Sequence, residues 1–437
     1  MYRAFLRRQD ESGGPGREPG SMANPLPATS GPPSSTEPDT AVTTPDTAVA
    51  TPPAGPRRPA RLPLLDVLRG TAILGTLMTN IWVFAGPGAE WGVLSGFSTE
   101  GAGLPATVFR FLADGKFLSL LTILFGAGLA IQYGAAARRG RPWPGSYRPR
   151  ALFLLAEGTL HFALVFAWDV LMGYAVTALV AARLLVRSER VRDRVMWAAL
   201  GVHLALVAAL TLLLLVGPDG DDGGPSERVV ELYAHGSYVE QVRFRLENAL
   251  ALRMEAVFSF GLLLFLFLLG VRLFRAGAFA DDERGRRIRG RLLVWGLGLG
   301  LPLNAACTLG GSAFFAAGRY GAAPLVALGY LGLTGWVLDR VRRPGPLTRA
   351  LTAVGRTALS CYVLQNLLAM LACYGIGLGL AARFGNEDPW WVMGLWLTIC
   401  LILAISSSFW LKRHQFGPLE SLQKRLIGRG RLRNGQE

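Results

Sequence analysis

ALFLLAEGTLHFALVFAWDVLMGYAVTALVAARLLV, residues 151–186, reads as two apolar helices folded back on each other. A helix needs about 18 to 20 apolar residues to cross the hydrocarbon of a bilayer. The stretch holds two such runs, one from Ala151 and one from Val170. Only Ala167, Trp168 and Asp169 separate them, so the chain turns there in a tight helical hairpin. Arg148 and Arg150 precede the hairpin, and Arg187 and Arg190 follow it. Basic residues collect on the cytoplasmic side of membrane proteins. The open ends of the hairpin are therefore expected inside and the Trp168 turn outside.

Working outward, eight more apolar spans are predicted. The first runs from Leu64 to Phe84, and others begin near Phe117, Val195, Ala256, Leu292, Tyr320, Leu351 and Trp390. Alternate connections are basic. They carry Arg138, Arg139 and Arg141, then Arg284, Arg286, Arg287, Arg289 and Arg291, then Arg340, Arg342, Arg343 and Arg349. The carboxyl-terminal end adds Lys412, Arg413, Lys424 and Arg425. The intervening segments hold Arg110 and Lys116, Arg319, and Arg383. The longest, Gly217 to Arg253, offsets its basic residues with Asp219, Asp221, Asp222 and several Glu, and long loops weigh less in the rule. Within it, Tyr233 to Leu252 is expected to be a helix lying on the outer membrane surface. The expected fold is an all-α polytopic membrane protein with about ten transmembrane helices and both termini cytoplasmic. An odd number of spans would break the alternation.

Composition agrees. Of 437 residues, 51% are hydrophobic and 17% charged, against about 25% charged in soluble domains. A soluble chain with a net charge of +15 would suggest nucleic acid. Here the topology accounts for the charge, and no RNP-like, zinc-finger or basic-zipper pattern accompanies it, so no nucleic-acid partner is expected. Residues 1–56 are rich in Pro, Ala and Thr and include the tandem PDTAVTTPDTAVATP, Pro38 to Pro52. They are expected to form a disordered cytoplasmic tail, and no apolar core follows their basic residues as a signal peptide would require. Residues 57–426 make the membrane domain and 427–437 a basic tail. Cys307, Cys361, Cys373 and Cys400 read as thiols packed among helices, with Cys307 and Cys373 candidates for one disulfide at the outer side.

Polar groups inside apolar spans are costly, about 2.5 to 3.5 kcal/mol for a charge at a helix centre, and so mark candidate sites. Asp66 and Arg69 lie one turn apart near the inner surface and pair on one helix face. Arg69 suits an anionic group such as the phosphate of a nucleotide-like donor; an anchoring ion pair is the plainer reading. Asn80 lies further along the same span. Glu157 and His161 are spaced i, i+4 and meet on one face, with Asp169 at the turn and Tyr174 opening the next span. This group suits a general base for a hydroxyl or amine acceptor, or a hydrogen-bond network that closes the hairpin. The ninth span carries Arg356, Ser360, Tyr362, Gln365 and Asn366. The glycine runs GLGLGL (Gly296 to Leu301) and GIGLGL (Gly375 to Leu380) lack a preceding strand and read as close helix contacts. No spacing suggests a metal site.

Five stretches together resemble the YeiB-like family of bacterial membrane proteins, which end in a carboxyl-terminal domain of unknown function, here about 254–426. They are LDVLRGTAILGTLMTN (Leu65 to Asn80), GKFLSLLTILFGAGLA (Gly115 to Ala130), EGTLHFALVFAWDVLMGYA (Glu157 to Ala175), VGRTALSCYVLQN (Val354 to Asn366) and FGPLE (Phe416 to Glu420). That family is similar to the transmembrane acyltransferase superfamily, which includes the acyltransferase-three proteins and heparan-alpha-glucosaminide N-acetyltransferase. Asp66, Arg69 and Gly70 match the first-span pattern of that superfamily. The acyltransferase-three proteins usually carry a catalytic His near the outer end of the first span, where this chain has Asn80. Glu157 also departs from the usual apolar residue before the family's Gly, here Gly158.

The resemblance implies a multi-pass protein of the bacterial cell membrane that moves an acyl group from a cytoplasmic donor to a small-molecule, sugar or lipid acceptor. Acyl-CoA is the expected co-substrate, with no permanently bound cofactor. Arg69 and Arg356 would hold the donor, and His161, with Asp169 or Glu157, would activate the acceptor, with Asn80, Tyr174 and Gln365 around it. The alternatives are a small-metabolite transporter and a structural cell-envelope factor. The two halves of the chain share no motif, which counts against the inverted repeats common in transporters.

Overall fold

The computed structural model describes residues 62–86, 88–91, 103–216, 225–341, 343–385 and 388–433. The amino-terminal tail, Asp219, Asp221, Asp222 and Arg342 lie outside these residues. Every regular element among the described residues is helical. In chain order they are α1 (Pro63–Ala85), α2 (Leu104–Ala113), α3 (Lys116–Arg138), α4 (Arg148–Leu164), α5 (Leu171–Leu184), α6 (Glu189–Val216), α7 (Glu227–Ala234), α8 (Tyr238–Glu247) and α9 (Ala249–Phe258). They continue with α10 (Phe260–Ala276), α11 (Glu283–Leu309), α12 (Ala323–Leu338), α13 (Pro346–Arg356), α14 (Ala358–Cys373), α15 (Leu380–Phe384), α16 (Pro389–Arg413) and α17 (Pro418–Arg433).

The chain is a multi-pass membrane protein by its helices. Six segments are long and apolar enough to span: α1, α2 with α3, α6, α11, residues 312–338 ending in α12, and α16. The pair α9 and α10, bent by 45°, makes a seventh if it crosses as one. Each of the ten expected spans begins on or beside a helix. Three of those helices are short: α4 has 17 residues, α14 has 16 and α5 has 14. At the helical rise they reach about 26, 24 and 21 Å, less than the hydrocarbon thickness of about 30 Å.

Helix α1 is the hub. Pro63 opens it, where a missing N–H costs nothing, and 67% of its spanning stretch is buried by protein. It packs on α13, α3, α14 and α16. The corresponding share is 17% for α6 and for α11. These two expose Leu212 to Leu215, Val294, Trp295 and Leu299. A helix apolar on its outer side belongs against lipid, so they form the rim.

Small residues set the closest crossings. A side chain on Gly70 would strike the Leu351 carbonyl, and one on Gly355 the Asp66 carbonyl, so α1 and α13 meet backbone to backbone. Gly126 and Gly270 do the same for α3 and α10. Gly296 and Gly300 of the GLGLGL run press α11 onto Gly329 and Val326 of α12, the close contact read from the sequence. The GIGLGL run behaves differently: Gly375 to Leu378 form a turn after α14, where the Gly375 N–H donates to the Tyr233 carbonyl at 3.0 Å. It joins a loop to α7 rather than helix to helix. The expected surface helix over Tyr233 to Leu252 is broken into α7, α8 and α9, and its Arg245 is fully buried. Arg289, counted above among the loop charges, lies inside α11 and forms a two-pronged pair with Asp339, just past the end of α12, at 2.7 and 2.9 Å. All four cysteines carry free thiols.

Candidate functional site

The three short helices bring the polar groups together. Asn80 of α1 donates through Nδ2 to Asn366 Oδ1 on α14 at 3.1 Å. Asn366 Nδ2 meets His161 Nε2 on α4 at 3.0 Å. An amide nitrogen only donates, so Nε2 accepts and a neutral imidazole carries its proton on Nδ1. That atom faces Glu157 Oε1 at 3.9 Å, beyond a hydrogen bond. The chain of donors thus runs from Asn80 through Asn366 to His161. The Tyr362 ring stacks on the imidazole, with centroids 5.3 Å apart.

The hairpin turn is held from the same side. Asp169 Oδ2 accepts the backbone N–H groups of Leu171 and Met172, at 2.9 and 3.2 Å, and so caps α5. Asp169 Oδ1 accepts from the Tyr362 hydroxyl at 3.3 Å. Gly158 makes this possible, because a Cβ there would sit 2.7 Å from both Asp169 Oδ2 and the Met172 nitrogen. Both Asp169 oxygens are committed, and Asp169 reaches His161 only through Tyr362. Helices α8 and α9 close the top. The Tyr238 hydroxyl and Arg245 Nη1 donate to the Leu164 and Ala163 carbonyls at the end of α4, at 2.7 and 3.2 Å. Arg253 Nη1 donates to the Asp169 carbonyl at 2.6 Å. These are the orphan carbonyls and turn groups that a short buried helix must satisfy.

Below the cluster lies a cavity of about 220 Å³ lined by Arg69, Arg150 and Arg356. Its apolar wall includes Ile73, Leu124, Phe125, Leu154 and Leu171, and Tyr362 closes it. Arg69 reaches Asp66 at 3.4 Å, and Arg356 donates to the Gln415 carbonyl at 3.2 Å. Glu420 of the FGPLE stretch also lines the cavity. It accepts from the Leu359 N–H at 2.8 Å and the Ser360 hydroxyl at 2.6 Å, tying α17 to the start of α14. A second cavity of about 40 Å³ lies on the other side, lined by Thr76, Asn80, Trp168 and again Tyr362. Neither cavity is lined by His161 or Glu157.

Of the residues singled out in the sequence, Asn80, His161 and Asp169 lie in one cluster, Arg69 and Arg356 line one cavity, and Glu157 stays 3.9 Å from the imidazole. Two other candidates turn elsewhere. Tyr174 is fully buried against α3, its hydroxyl 2.8 Å from Thr122 Oγ1. Gln365 meets Thr76 Oγ1 at 3.4 Å. The residues that sequence reasoning undervalued are Tyr362 and Asn366, which sit at the centre, and Arg150, read only as a topology signal. Their signal was present: Tyr362 and Asn366 are four apart on one face of an apolar helix.

A helical bundle with an apolar rim, a buried polar cluster on short helices and an arginine-lined cavity defines a polytopic membrane protein with an internal site. Residues 273–429 match the family model described as "Protein of unknown function (DUF418)". The chain is 25% identical over 398 residues to "Uncharacterized protein YxaH" of Bacillus subtilis (strain 168), covering 83% of this chain and 93% of that one. It is 29% identical over 389 residues to "Uncharacterized protein YeiB" of Escherichia coli (strain K12), covering 83% and 95%. Over most of its length the chain is thus similar to these YeiB-like proteins, and its carboxyl-terminal part matches the family model. The matched region supplies Arg356, Tyr362 and Asn366, whereas Arg69, Asn80, His161 and Asp169 come from the part before it.

Proposed function

We propose that the protein is a membrane-bound acyl-transfer enzyme whose arginine-lined cavity takes the anionic portion of an acyl donor such as acyl-CoA. The observation that carries this reading is the placement of Arg69, Arg150 and Arg356 around one partly apolar cavity that ends on Tyr362. Guanidinium groups suit phosphate oxygens, and the apolar wall suits an acyl chain. The second cavity, beyond Tyr362, would take the acceptor. In the transfer, the acceptor oxygen or nitrogen bonds to the acyl carbon and the donor's C–S bond breaks. The acceptor's proton ends on the leaving thiolate. His161 would relay it after releasing Asn366, because Asn366 occupies its accepting nitrogen. Asn80 then serves as the far anchor of that amide, not as a base.

We also infer ten crossings, with α4, α5 and α14 counted, both termini cytoplasmic, in the bacterial cell membrane. The basic residues around Arg138 to Arg150 and those of α17 lie at the same end as the arginine cavity, which supports a cytoplasmic entrance.

The test uses the purified protein in nanodiscs. Acyl-CoA should bind with an affinity that falls at least about tenfold in Arg69→Gln and Arg356→Gln, as expected for a charge-assisted phosphate contact. Acyl release to added acceptors should fail in His161→Gln. The two cavities divided by one side chain also favour a transporter. Uptake of a small anion into liposomes without any acyl-CoA binding would decide for that reading and against the enzyme.

A further inference from the structure

A third chamber adjoins the second cavity through Arg319 and is not lined by Tyr362. Its volume is about 100 Å³. Three cationic residues line it from three different elements: Arg110 of α2, Lys116 at the start of α3, and Arg319 in the π-helical segment Ala317–Ala322 that leads into α12. Among the described residues, Asp114 is the one acid that lines it. Arg110 approaches Asp114 at 3.8 Å, and Arg319 approaches Glu255 at 3.2 Å, outside the chamber. Glu255 also accepts from the Tyr320 hydroxyl at 2.6 Å.

Lys116 is left in an unusual position. Its side chain is 2% exposed, and its ammonium donates to the neutral Asn304 amide oxygen at 2.6 Å and lies 4.8 Å from the centre of the Phe111 ring. Among the described residues no carboxylate lies within ion-pair distance of it. Its direct contacts among the described residues are thus a neutral acceptor and a ring, with the Asp114 carboxylate farther off across the chamber, and burying an ammonium so costs several kcal/mol in desolvation. An anion in the chamber would offset that cost. Asn304 is held in place from behind, donating to the Gly318 carbonyl at 2.9 Å. The ammonium is therefore positioned before any ligand arrives.

Helix α2 indicates where such an anion comes from. Thr107, Arg110, Phe111 and Asp114 fall on the face that lines the chamber. Leu104, Val108 and Leu112, on the other face, are 76%, 46% and 42% exposed. Across the chamber, Leu309 at the end of α11 is 87% exposed. Exposed apolar side chains thus stand on the same elements that wall the chamber, and the chamber lining carries three cations. Apolar groups outside and cations inside match a lipid, with its chains along α2 and its charged head between Arg110, Lys116 and Arg319. A phosphate offers the several oxygens that three donors on separate elements call for.

We propose that this chamber is a phosphate-binding site occupied by the headgroup of an anionic membrane lipid. It does not rest on the acyl-transfer reading: Arg110 and Lys116 have no part there, and Arg319 is shared as a wall of the second cavity.

The experiment uses the full-length protein, purified in detergent and stripped of lipid. Binding is read by native mass spectrometry and by the shift in unfolding temperature. Three probes are compared: dioctanoyl phosphatidylglycerol, sodium phosphate, and dioctanoylglycerol, which has the same chains without phosphate. The phospholipid should bind and stabilise, and dioctanoylglycerol should do neither. Lys116→Met and Arg110→Gln should each weaken the phospholipid at least about tenfold, Lys116→Arg should restore most of the loss, and Arg287→Gln on the exposed face of α11 should change nothing. If Lys116→Met does not fold, Arg110→Gln and a Thr308→Val change, at a hydroxyl residue of α11 that also lines the chamber, carry the same comparison. Sodium phosphate binding alone, with the same dependence on Lys116, would keep the phosphate chemistry and overturn the lipid source. Equal binding of dioctanoylglycerol, or wild-type affinity in Lys116→Met, overturns the site.

Discussion

At the scale of single residues, Asn366 is the joint of the cluster, with Asn80 on one side of its amide and His161 on the other. Replacing it with Leu keeps the volume and strands two buried polar groups. Asn366→Leu should therefore lose about 1–3 kcal/mol of stability, measured by thermal or denaturant unfolding in detergent. An unchanged midpoint would mean that Asn80 and His161 find other partners. Tyr362 is the partition between the two cavities. Tyr362→Ala should join them and let a small anion leak from loaded liposomes, whereas Tyr362→Phe should stay tight. A third residue-scale case is the fully buried pair of Arg245 Nε with Glu90 Oε2, at 2.7 Å. Tyr233 also donates to that carboxylate, at 2.9 Å, and burial together with Glu90 holds its hydroxyl well above the usual phenol range. Breaking such a pair from one side costs about 3–5 kcal/mol, while replacing both partners by apolar groups is often near neutral. Glu90→Gln should thus be far less stable than Glu90→Leu with Arg245→Met. These residues differ in how readable they were. His161 and Asn80 stand out as polar groups amid apolar ones. Glu90, Lys116 and Arg245 lie at span ends or in loops, where a charge is ordinary. Only the folded contact, across 155 positions between Glu90 and Arg245, shows that they are buried.

At the scale of elements, the hairpin of α4 and α5 depends on one glycine. Gly158→Val would push against Asp169 and the start of α5, costing about 1–3 kcal/mol as overpacking does. Its effect should be seen as faster hydrogen exchange at Leu171 and Met172, whose N–H groups Asp169 caps. Slow exchange there would show that the turn tolerates the side chain. The hairpin itself was legible, because two apolar runs with three residues between them leave the chain no other course. The lengths of its helices were not. Apolar residues continue past Leu164, but α4 stops where Tyr238 and Arg245 supply partners for its last carbonyls and Arg253 for the turn. Those partners lie in a segment that reads as a surface helix, and a local pattern carries no information on what a distant segment will cap. The GIGLGL run illustrates the same limit: its glycines match a helix-contact pattern, yet the chain turns there to meet Tyr233.

At the scale of the whole molecule, arginine distribution makes a topology that labelling can check. Single cysteines placed in a background without Cys307, Cys361, Cys373 and Cys400 should divide cleanly in intact cells. Ser237→Cys should react with a membrane-impermeant thiol reagent, and Arg139→Cys and Gln415→Cys should not. Reaction at Gln415→Cys would overturn the cytoplasmic carboxyl terminus. The membrane class was plain from composition, since six helices of spanning length need no tertiary information. The assignment of rim and hub needed the packing: α1 and α6 are both apolar, and only their neighbours distinguish them.

The shortness of α4, α5 and α14 reaches beyond packing. A membrane voltage drops across whatever insulates best, and water-filled recesses on either side of a thin partition take up little of it. About 100 mV is worth about 2.3 kcal/mol for one elementary charge carried through the whole drop. Were the cavities on the two faces of Tyr362 filled with water, most of that drop would fall across a single aromatic ring. Any proton or anion handed past it would travel a few ångströms and feel nearly the full potential of the cell, so its rate should rise or fall steeply with voltage.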